Sequence, residues 1–139
     1  MKVDFYYDEL TNETRCEIEY DGRIFIGKSK CHPDDTQFYS ERTGGFIAEA
    51  RATIKVLKYR RNHEIMPILK SYRHLLNNMK TSKKYNRDSY EAEMVYRQVK
   101  YYEKALNTIN ADILGEQQYL FEYIENKNIM YNKYLGKNK

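Results

Sequence analysis

Hydrophobic and polar residues alternate with period two in residues 2–8 and 14–20. Successive side chains of a β-strand point to opposite faces of a sheet, so the alternation predicts two strands, each with one apolar and one wet face. The apolar positions are Val3, Phe5 and Tyr7 in the first run and Cys16, Ile18 and Tyr20 in the second. We therefore expect both strands to turn these residues toward a common core.

The pair Asp21-Gly22 separates the second run from a third apolar run that begins at Arg23. An Asp-Gly pair between two such runs indicates a type I′ hairpin, because both turn residues need a positive φ. The third strand should end near Cys31-His32-Pro33, since proline cannot continue a β-ladder. The pattern predicts a three-stranded antiparallel meander over residues 1–32.

A period of three to four residues follows, which predicts helices. The first helix should run over residues 46–80, after Gly44-Gly45, with a kink or short break near Pro67, whose ring opposes the carbonyl four residues back. Its apolar stripe consists of Ile47, Ala50, Ile54, Leu57, Ile65, Ile68, Tyr72, Leu75 and Met79.

The second helix should run over residues 88–127, capped by Asp88 or Ser89. Gly115 inside it indicates either a close approach of another backbone or a second bend. We expect the polar residues 126–139 to fray. The stripe of this helix consists of Val95, Val99, Tyr102, Leu106, Ile109, Ile113, Leu120 and Ile124.

These elements predict an α+β fold, a β-meander followed by two long, kinked helices, in one domain of 139 residues. Helices of this length cannot bury their stripes against three short strands, so we expect the chain to form a homo-oligomer. A compact monomeric bundle, folded back at Pro67 and Gly115, is the alternative.

Charge and cysteine content narrow the class of protein only slightly. The net charge of +4 suits an anionic partner, but 24 cationic against 20 anionic side chains is a mild excess. Two cysteines are too few for a disulfide framework, and no apolar run is long enough to span a membrane. With no signal-peptide pattern at the start, we expect a cytoplasmic location.

Basic residues on the first helix and polar residues between the helices are the candidate ligand-binding groups. The first group is Arg51, Lys55 and Lys58, which fall at helical spacing. The second group is Tyr85, Asn86, Arg87 and Asp88. Arginine can grip a phosphate, asparagine and aspartate can bond a base edge or sugar hydroxyls, and a tyrosine ring can stack on a base. Each residue taken alone also fits a solvated or capping role.

Catalytic and metal chemistry find little support in the sequence. Cys16, Cys31 and His32, with Asp34 and Asp35 nearby, match no standard zinc spacing. No histidine stands in a recognisable arrangement with a cysteine nucleophile, and no Walker or dinucleotide-binding motif is present. Thr43-Gly44-Gly45 before a helix could offer amides to a phosphate, but such glycines usually only give flexibility. We expect no enzyme activity, no metal and no cofactor.

Three segments carry a resemblance to a known family. They are Asp-Gly-Arg-Ile-Phe-Ile-Gly-Lys at 21–28, Cys-His-Pro-Asp-Asp at 31–35 and Gly-Gly-Phe-Ile-Ala-Glu-Ala-Arg-Ala-Thr-Ile-Lys at 44–55. With the two long helices they resemble the phage Thoeris anti-defence 1 family. Its members are oligomeric sponges, which sequester cyclic ADP-ribose isomers, and in some cases cyclic oligonucleotides, without degrading them.

The resemblance implies a phage protein that acts in the host cytoplasm on a cyclic nucleotide immune signal. It would make Arg51, Asn86, Arg87 and Asp88 the polar ligands and Tyr85 the stacking ring. The alternative function is a regulator that binds a host protein through its tyrosine-rich helices. A weak DNA or RNA binder is a third hypothesis, resting on the basic row of the first helix, and we do not expect nucleic acid to be the partner.

Overall fold

The computed structural model describes residues 1–30, 41–82, 84 and 86–137, and it describes the side chains of these residues except 41 and 128–137. The strands are β1 (Lys2–Asp8), β2 (Glu13–Tyr20) and β3 (Arg23–Lys30). The helices are α1 (Glu41–Arg60), a π-helical turn (Arg61–Ile65), α2 (Met66–Lys80) and α3 (Tyr90–Lys137). The predicted α+β fold, a meander followed by long helices, is confirmed.

Contacts between Cα atoms divide the chain into two compact units. The first, here called the sheet unit, comprises Met1–Val56 and Ile113–Lys139, and the second, called the hairpin unit, comprises Leu57–Asp112. Each has a hydrophobic core of its own. The prediction of one domain over residues 1–139 stays a prediction.

The sheet is an antiparallel meander with the order β1-β2-β3. Its second hairpin has the predicted turn, because Asp21 has a φ of 53° and Gly22 a φ of 69°. Cys16 of β2 lies opposite Phe5 on one side and Gly27 on the other, so the three strands share one apolar face. The register of the strands therefore confirms the prediction that the apolar residues of β1 and β2 share one face of the sheet.

Helix α1 covers β2 and β3 on that face. Cys16 and Ile18 are buried against the alanines and valine at every fourth position of α1, which are Ala48, Ala52 and Val56. Gly27 makes the close approach possible: a Cβ atom there would lie 2.5 Å from the Ala52 amide nitrogen and would overlap the Ala48 carbonyl. Small residues on both sides thus let the helix and sheet backbones meet.

Strand β1 is less buried than its pattern predicts. Val3, Phe5 and Tyr7 are 39%, 50% and 41% exposed, although they stand on the same face as Cys16. The physical reason is position, because β1 forms the edge of the sheet while α1 packs over the other two strands. Alternation correctly identified the face but overestimated the burial of the edge strand.

The opposite side of α1 contacts the second half of α3 within the sheet unit. Ile47, Ala50 and Ile54 are buried together with Leu120, and Tyr123 packs against them. The rings of Phe46 and Tyr123 are 4.3 Å apart between centroids. Helix α1 is thus the central layer of this unit, between the sheet and α3.

Three predicted helix limits differ from the structure. Helix α1 begins at Glu41 rather than 46, so Gly44-Gly45 lies inside the helix and not before it. Burial of Thr43 and Ile47 in the packed unit outweighs the low helix propensity of glycine. Helix α3 begins at Tyr90 and continues to Lys137, ten residues past the predicted limit, where we had expected a frayed tail.

The predicted interruption near Pro67 takes the form of the π-helical turn. Pro67 is the second residue of α2, and the Met66 amide donates to the Arg61 carbonyl, five residues back. A proline has no amide hydrogen and its ring crowds the carbonyl of the residue four before it. Widening of the preceding turn accommodates that ring without ending the helix.

Gly115 makes no close approach to another backbone among the described residues, and the second bend that was the alternative stays a prediction. A Cβ atom added there would meet no other atom within 4 Å among the described residues, and α3 continues through it. No helix in the described part of the chain is long and apolar enough to cross a membrane.

Candidate anion-binding site

The hairpin unit pairs α2 with the first half of α3. Leu69, Leu76 and Val99 are buried together in its core. Tyr72 stacks on Tyr102 with ring centroids 5.9 Å apart. At the surface the Arg73 guanidinium donates to the Glu103 carboxylate at 3.4 Å. These contacts fix the register of the two helices and so position the residues at the end where the chain turns.

Hydrogen bonds close the end of α2. The Thr81 amide donates to the Asn77 carbonyl at 3.2 Å, and the Ser82 amide donates to the Met79 carbonyl at 3.1 Å. The Thr81 hydroxyl donates to the Asn78 carbonyl at 2.9 Å. Because these bonds satisfy carbonyls of the last turn, α2 ends firmly at Lys80.

The start of α3 is capped by Ser89. Its hydroxyl accepts a hydrogen bond from the Ala92 amide at 3.2 Å. One turn earlier, the Asn86 side-chain oxygen accepts from the Asp88 amide at 3.0 Å, and the Ser89 amide donates to the Asn86 carbonyl at 3.0 Å. Asn86 therefore builds the turn, and Ser89 rather than Asp88 is the cap.

A pocket of about 520 Å³ lies where α2 ends and α3 begins, within the hairpin unit. That volume is within the range of roughly 300–1,000 Å³ for small-molecule sites. Leu76 and Ala92, both buried, form its apolar base. Among the described residues the lining consists of Leu76, Lys80, Arg87, Ala92, Glu93 and Tyr96.

The charges around the pocket favour an anion. Lys80 and Arg87 are exposed, and among the described residues the Arg87 guanidinium has no hydrogen-bond or ion-pair partner. Glu93 is the one carboxylate among the described lining residues, and it accepts a hydrogen bond from Arg97 at 2.7 Å. The pocket thus offers two cations against an acidic group that is already paired.

These groups suit the recognition of a nucleotide. A free guanidinium can bind two phosphate oxygens at once, and an ammonium group adds charge without fixed geometry. Tyr96 is 51% exposed, with the Lys100 ammonium group 5.3 Å from the centroid of its ring, and an exposed tyrosine is a group on which a base can stack. The arrangement can hold a phosphate and a ring, and its described residues include no histidine or cysteine.

The sheet unit has a slightly larger pocket, of about 570 Å³, beside β1 and the start of α1. Its walls are mainly the rings of Phe5, Tyr6, Tyr7 and Phe46. Arg42 and Glu49 are the charged residues of its described lining, and their charges balance. For an anionic ligand the hairpin-unit pocket is the better candidate despite its smaller volume.

Of the predicted site residues between the helices, Arg87 lines the hairpin-unit pocket. Asn86 is exposed, and its side-chain oxygen is used in the turn. Asp88 is exposed, and its carboxylate has no partner among the described residues. Tyr85, predicted as the stacking ring, lies outside the described residues.

Arg51 and Lys55 of α1 contact the edge of the sheet. The Arg51 guanidinium donates to the Lys28 carbonyl at 2.6 Å, and the Lys55 ammonium group donates to the Ile26 carbonyl at 2.5 Å. Both belong to the sheet unit, whereas Asn86, Arg87 and Asp88 belong to the hairpin unit. These bonds give the two basic residues a structural role, and their ligand role stays a prediction.

Cys16 has the properties of a core residue. Its side chain is fully buried, and burial, with the charges of Glu49, Asp4 and Glu17, raises the pKa of its thiol to about 11. A thiol held protonated in this way is a poor nucleophile and a poor metal ligand. No cluster of three potential metal ligands occurs within the described ranges, and Cys31, His32, Asp34 and Asp35, which match no standard zinc spacing, lie outside them.

Sequence reasoning did not assign site roles to Lys80 and Tyr96. Tyr96 was one of many tyrosines, and Lys80 was only the last residue of a helix. The signal that could have found them is the pairing of the two helices. Leu76 packs beside Val99 and Val95, so Lys80, one turn after Leu76, lies near the first turns of α3. That register depends on contacts between residues about twenty positions apart and is not visible in local periodicity.

Comparison of the chain with protein-family models, with curated proteins and with solved structures gives no match. The resemblance to the Thoeris anti-defence 1 family therefore stays a prediction that depends on the three segments quoted above.

Proposed function

We propose that the protein binds an anionic nucleotide signal in the hairpin-unit pocket and holds it without chemical change. The observation that carries the proposal is the Arg87 guanidinium, which has no partner among the described residues and lines a pocket with Lys80 and Tyr96. An exposed arginine in a pocket with a second cation attracts phosphate, and the ring adds a surface for a base.

The pocket's lining supports storage rather than turnover. General acid–base and nucleophilic catalysis need a group that can donate, accept or attack near neutral pH. The described lining offers an arginine, a lysine, a tyrosine and an ion-paired glutamate, and it includes neither the histidine nor the cysteine that such steps most often use. A ligand bound there should leave the protein intact.

The resemblance supplies the candidate ligand and setting. By it, the protein is a phage anti-defence protein in the host cytoplasm, and the ligand is a cyclic ADP-ribose isomer or a cyclic oligonucleotide. Such ligands carry phosphates for Arg87 and Lys80 and a base for Tyr96. The same resemblance includes assembly of the chain with copies of itself.

Calorimetry with cyclic ADP-ribose isomers and cyclic dinucleotides tests the function. We expect tight binding of at least one of these ligands, and after heat denaturation of the complex the ligand should be recovered with its mass unchanged. Recovery of a cleaved product would show an enzyme, and absence of binding for the whole set would remove the nucleotide hypothesis.

Two substitutions test the site. We expect Arg87→Ala and Lys80→Ala to weaken binding by about tenfold or more each, since a charge-assisted hydrogen bond contributes about 1.5–3 kcal/mol. Lys70→Ala is the matched control, because Lys70 is an exposed lysine of the same helix outside the pocket lining. Equal affinity of Lys80→Ala and Lys70→Ala would place the ligand elsewhere.

A regulator that binds a host protein is the second candidate function. It is favoured by large aromatic side chains exposed along α3, which are Tyr90, Tyr96, Tyr101, Tyr119 and Phe121. Aromatic residues are enriched where proteins bind each other. A stoichiometric partner that co-purifies from host cells and is lost on Tyr101→Ser, while nucleotides do not bind, would favour this function over the first.

A further inference from the structure

The two edges of the sheet differ in how their backbone groups are satisfied. On the β3 edge, Arg51 and Lys55 donate to the carbonyls of Lys28 and Ile26. Four residues of helix advance about 6 Å and two residues of strand about 6.7 Å, so side chains at i and i+4 can reach alternate carbonyls. The bonds cap this edge with cationic side chains, which hinders pairing with another strand.

The β1 edge has no comparable cap in the described part of the chain. β1 is the terminal strand of the sheet, its seven residues contain no proline, and it pairs with β2 without a bulge from Lys2 to Asp8. Apolar side chains are exposed on both faces, with Phe5 50% and Tyr6 47% exposed. An edge strand without a proline or a bulge, and with exposed apolar side chains, is a template for another strand.

The sequence of β1 is complementary to itself. In an antiparallel pair centred on Phe5, Lys2 of each copy stands opposite Asp8 of the other, and Val3 stands opposite Tyr7. Opposite charges and aliphatic–aromatic pairs are the cross-strand neighbours that stabilise a sheet. The dyad would thus give two ion pairs and two apolar pairs around a central Phe5 pair.

We propose that β1 pairs with β1 of a second copy of the chain, antiparallel and about a twofold axis through Phe5. The interface is isologous, so each pairing occurs twice. The two meanders then form one six-stranded sheet, in which the residues exposed on the core-side face of β1 cover one another. The partner is a second copy because the charges of this strand complement its own reversed sequence.

Neighbouring registers are worse. A shift by two residues places Asp4 opposite its own copy in one direction and opposite Asp8 in the other, which sets like charges against each other. A shift by one residue turns the core-side face of one copy to the outer face of its partner. The charges therefore select the Phe5-centred register.

Mixing two charge variants tests the pairing. Lys2→Asp alone and Asp8→Lys alone each put two like-charged pairs into a homodimer, so we expect each homodimer to dissociate about tenfold more readily than the original protein. Mixed together, the two variants restore two attractive pairs. Sedimentation equilibrium and native mass spectrometry should show the mixed dimer in excess over either homodimer.

A cysteine on the dyad gives a second, independent readout. Under mild oxidation we expect Phe5→Cys to form a disulfide-linked dimer, because directly opposite residues of paired strands are within disulfide distance. Ile24→Cys is the matched control: Ile24 is 62% exposed on β3, away from the proposed dyad, and should stay unlinked. Circular dichroism checks that each variant is folded.

The outcomes are decisive in both directions. Preferential mixed dimers together with Phe5→Cys cross-linking support the β1 pairing. A protein that is monomeric at all concentrations, or a dimer indifferent to both charge changes and without Phe5→Cys cross-linking, overturns it. If nucleotide binding fails while the β1 dimer persists, only the proposed function is lost, because neither Lys80 nor Arg87 belongs to β1.

Discussion

Two glycines show how differently one residue type acts at different positions. Gly27 lies against the backbone of α1, where a Cβ atom would overlap the Ala48 carbonyl. Gly115 lies exposed inside α3, where a Cβ atom would meet nothing within 4 Å among the described residues. The first glycine is required by packing, and the second only weakens its helix.

We predict opposite effects of the same substitution at these positions. Gly27→Ala should lower the free energy of unfolding by about 1–3 kcal/mol, because the helix must move away from the sheet. Gly115→Ala should raise it by about 1 kcal/mol through helix propensity. Urea denaturation followed by circular dichroism measures both. A stabilising Gly27→Ala would contradict the close packing of α1 on β3.

The free energy of unfolding should depend on pH through the buried thiol of Cys16. Its pKa is raised to about 11 in the folded state, so the folded protein keeps the proton at a pH where the unfolded chain releases it. The contribution of this thiol to the free energy of unfolding is therefore fully present below about pH 8.5, and it is lost as the pH rises toward 11. Burial of the neutral thiol is the main cause of the shift.

The predicted loss from Cys16 is about 2–3 kcal/mol between pH 8.5 and 11. Many tyrosines and lysines titrate in the same range, so the comparison is with Cys16→Ala, in which all of these groups are retained. Urea denaturation at several pH values should give a steeper decline for the original protein than for Cys16→Ala. Parallel curves would show that the thiol ionises equally in both states.

At the scale of elements, the start of α3 depends on one hydroxyl. Asp88 and Ser89 were equal candidates for the cap, and the bond from the Ala92 amide to the Ser89 hydroxyl decides between them. Asp88 remains exposed, without a side-chain partner among the described residues. The cap also fixes where the pocket residues of the first turns lie.

We predict that Ser89→Ala lowers the free energy of unfolding by about 1 kcal/mol, the usual cost of losing an N-cap hydrogen bond. Asp88→Ala is the adjacent control and should change stability by less than about 0.5 kcal/mol. Denaturation in urea distinguishes the two variants. A larger loss from Asp88→Ala would reverse the assignment of the cap.

At the scale of the molecule, each of the two units has a hydrophobic core of its own among the described residues. The sheet unit buries Cys16 and Ile18 under α1, and the hairpin unit buries Leu69 and Leu76 against Val99. Separate cores allow one part of a protein to open before another. Substitution in one core therefore reveals how far the two units depend on each other.

We predict that Leu69→Ala costs about 2–5 kcal/mol, because Leu69 is only 2% exposed in the hairpin unit. Hydrogen exchange should show a larger loss of protection in α2 than in β2, which belongs to the sheet unit. Leu75→Ala is the control in the same helix, since Leu75 is 45% exposed. Equal loss of protection in α2 and β2 would mean that the two units unfold together.

Much of this fold follows from the sequence alone. Alternation located β1 and β2, Asp21-Gly22 before a third apolar run specified the hairpin to β3, and Pro67 marked the interruption of the helix. These features depend on neighbours a few residues apart, through side-chain period, positive φ and a missing amide hydrogen. Local physics determines them, and a sequence displays local relations directly.

Tertiary structure decided the rest. It placed α1 between the sheet and α3, started that helix before Gly44-Gly45, and left β1 exposed at the sheet edge. In it, the side chains of Arg51 and Lys55 donate hydrogen bonds to strand carbonyls. Lys80, Arg87 and Tyr96 lie together in one pocket. Each outcome depends on contacts between residues far apart in the chain, whose energies local periodicity does not contain.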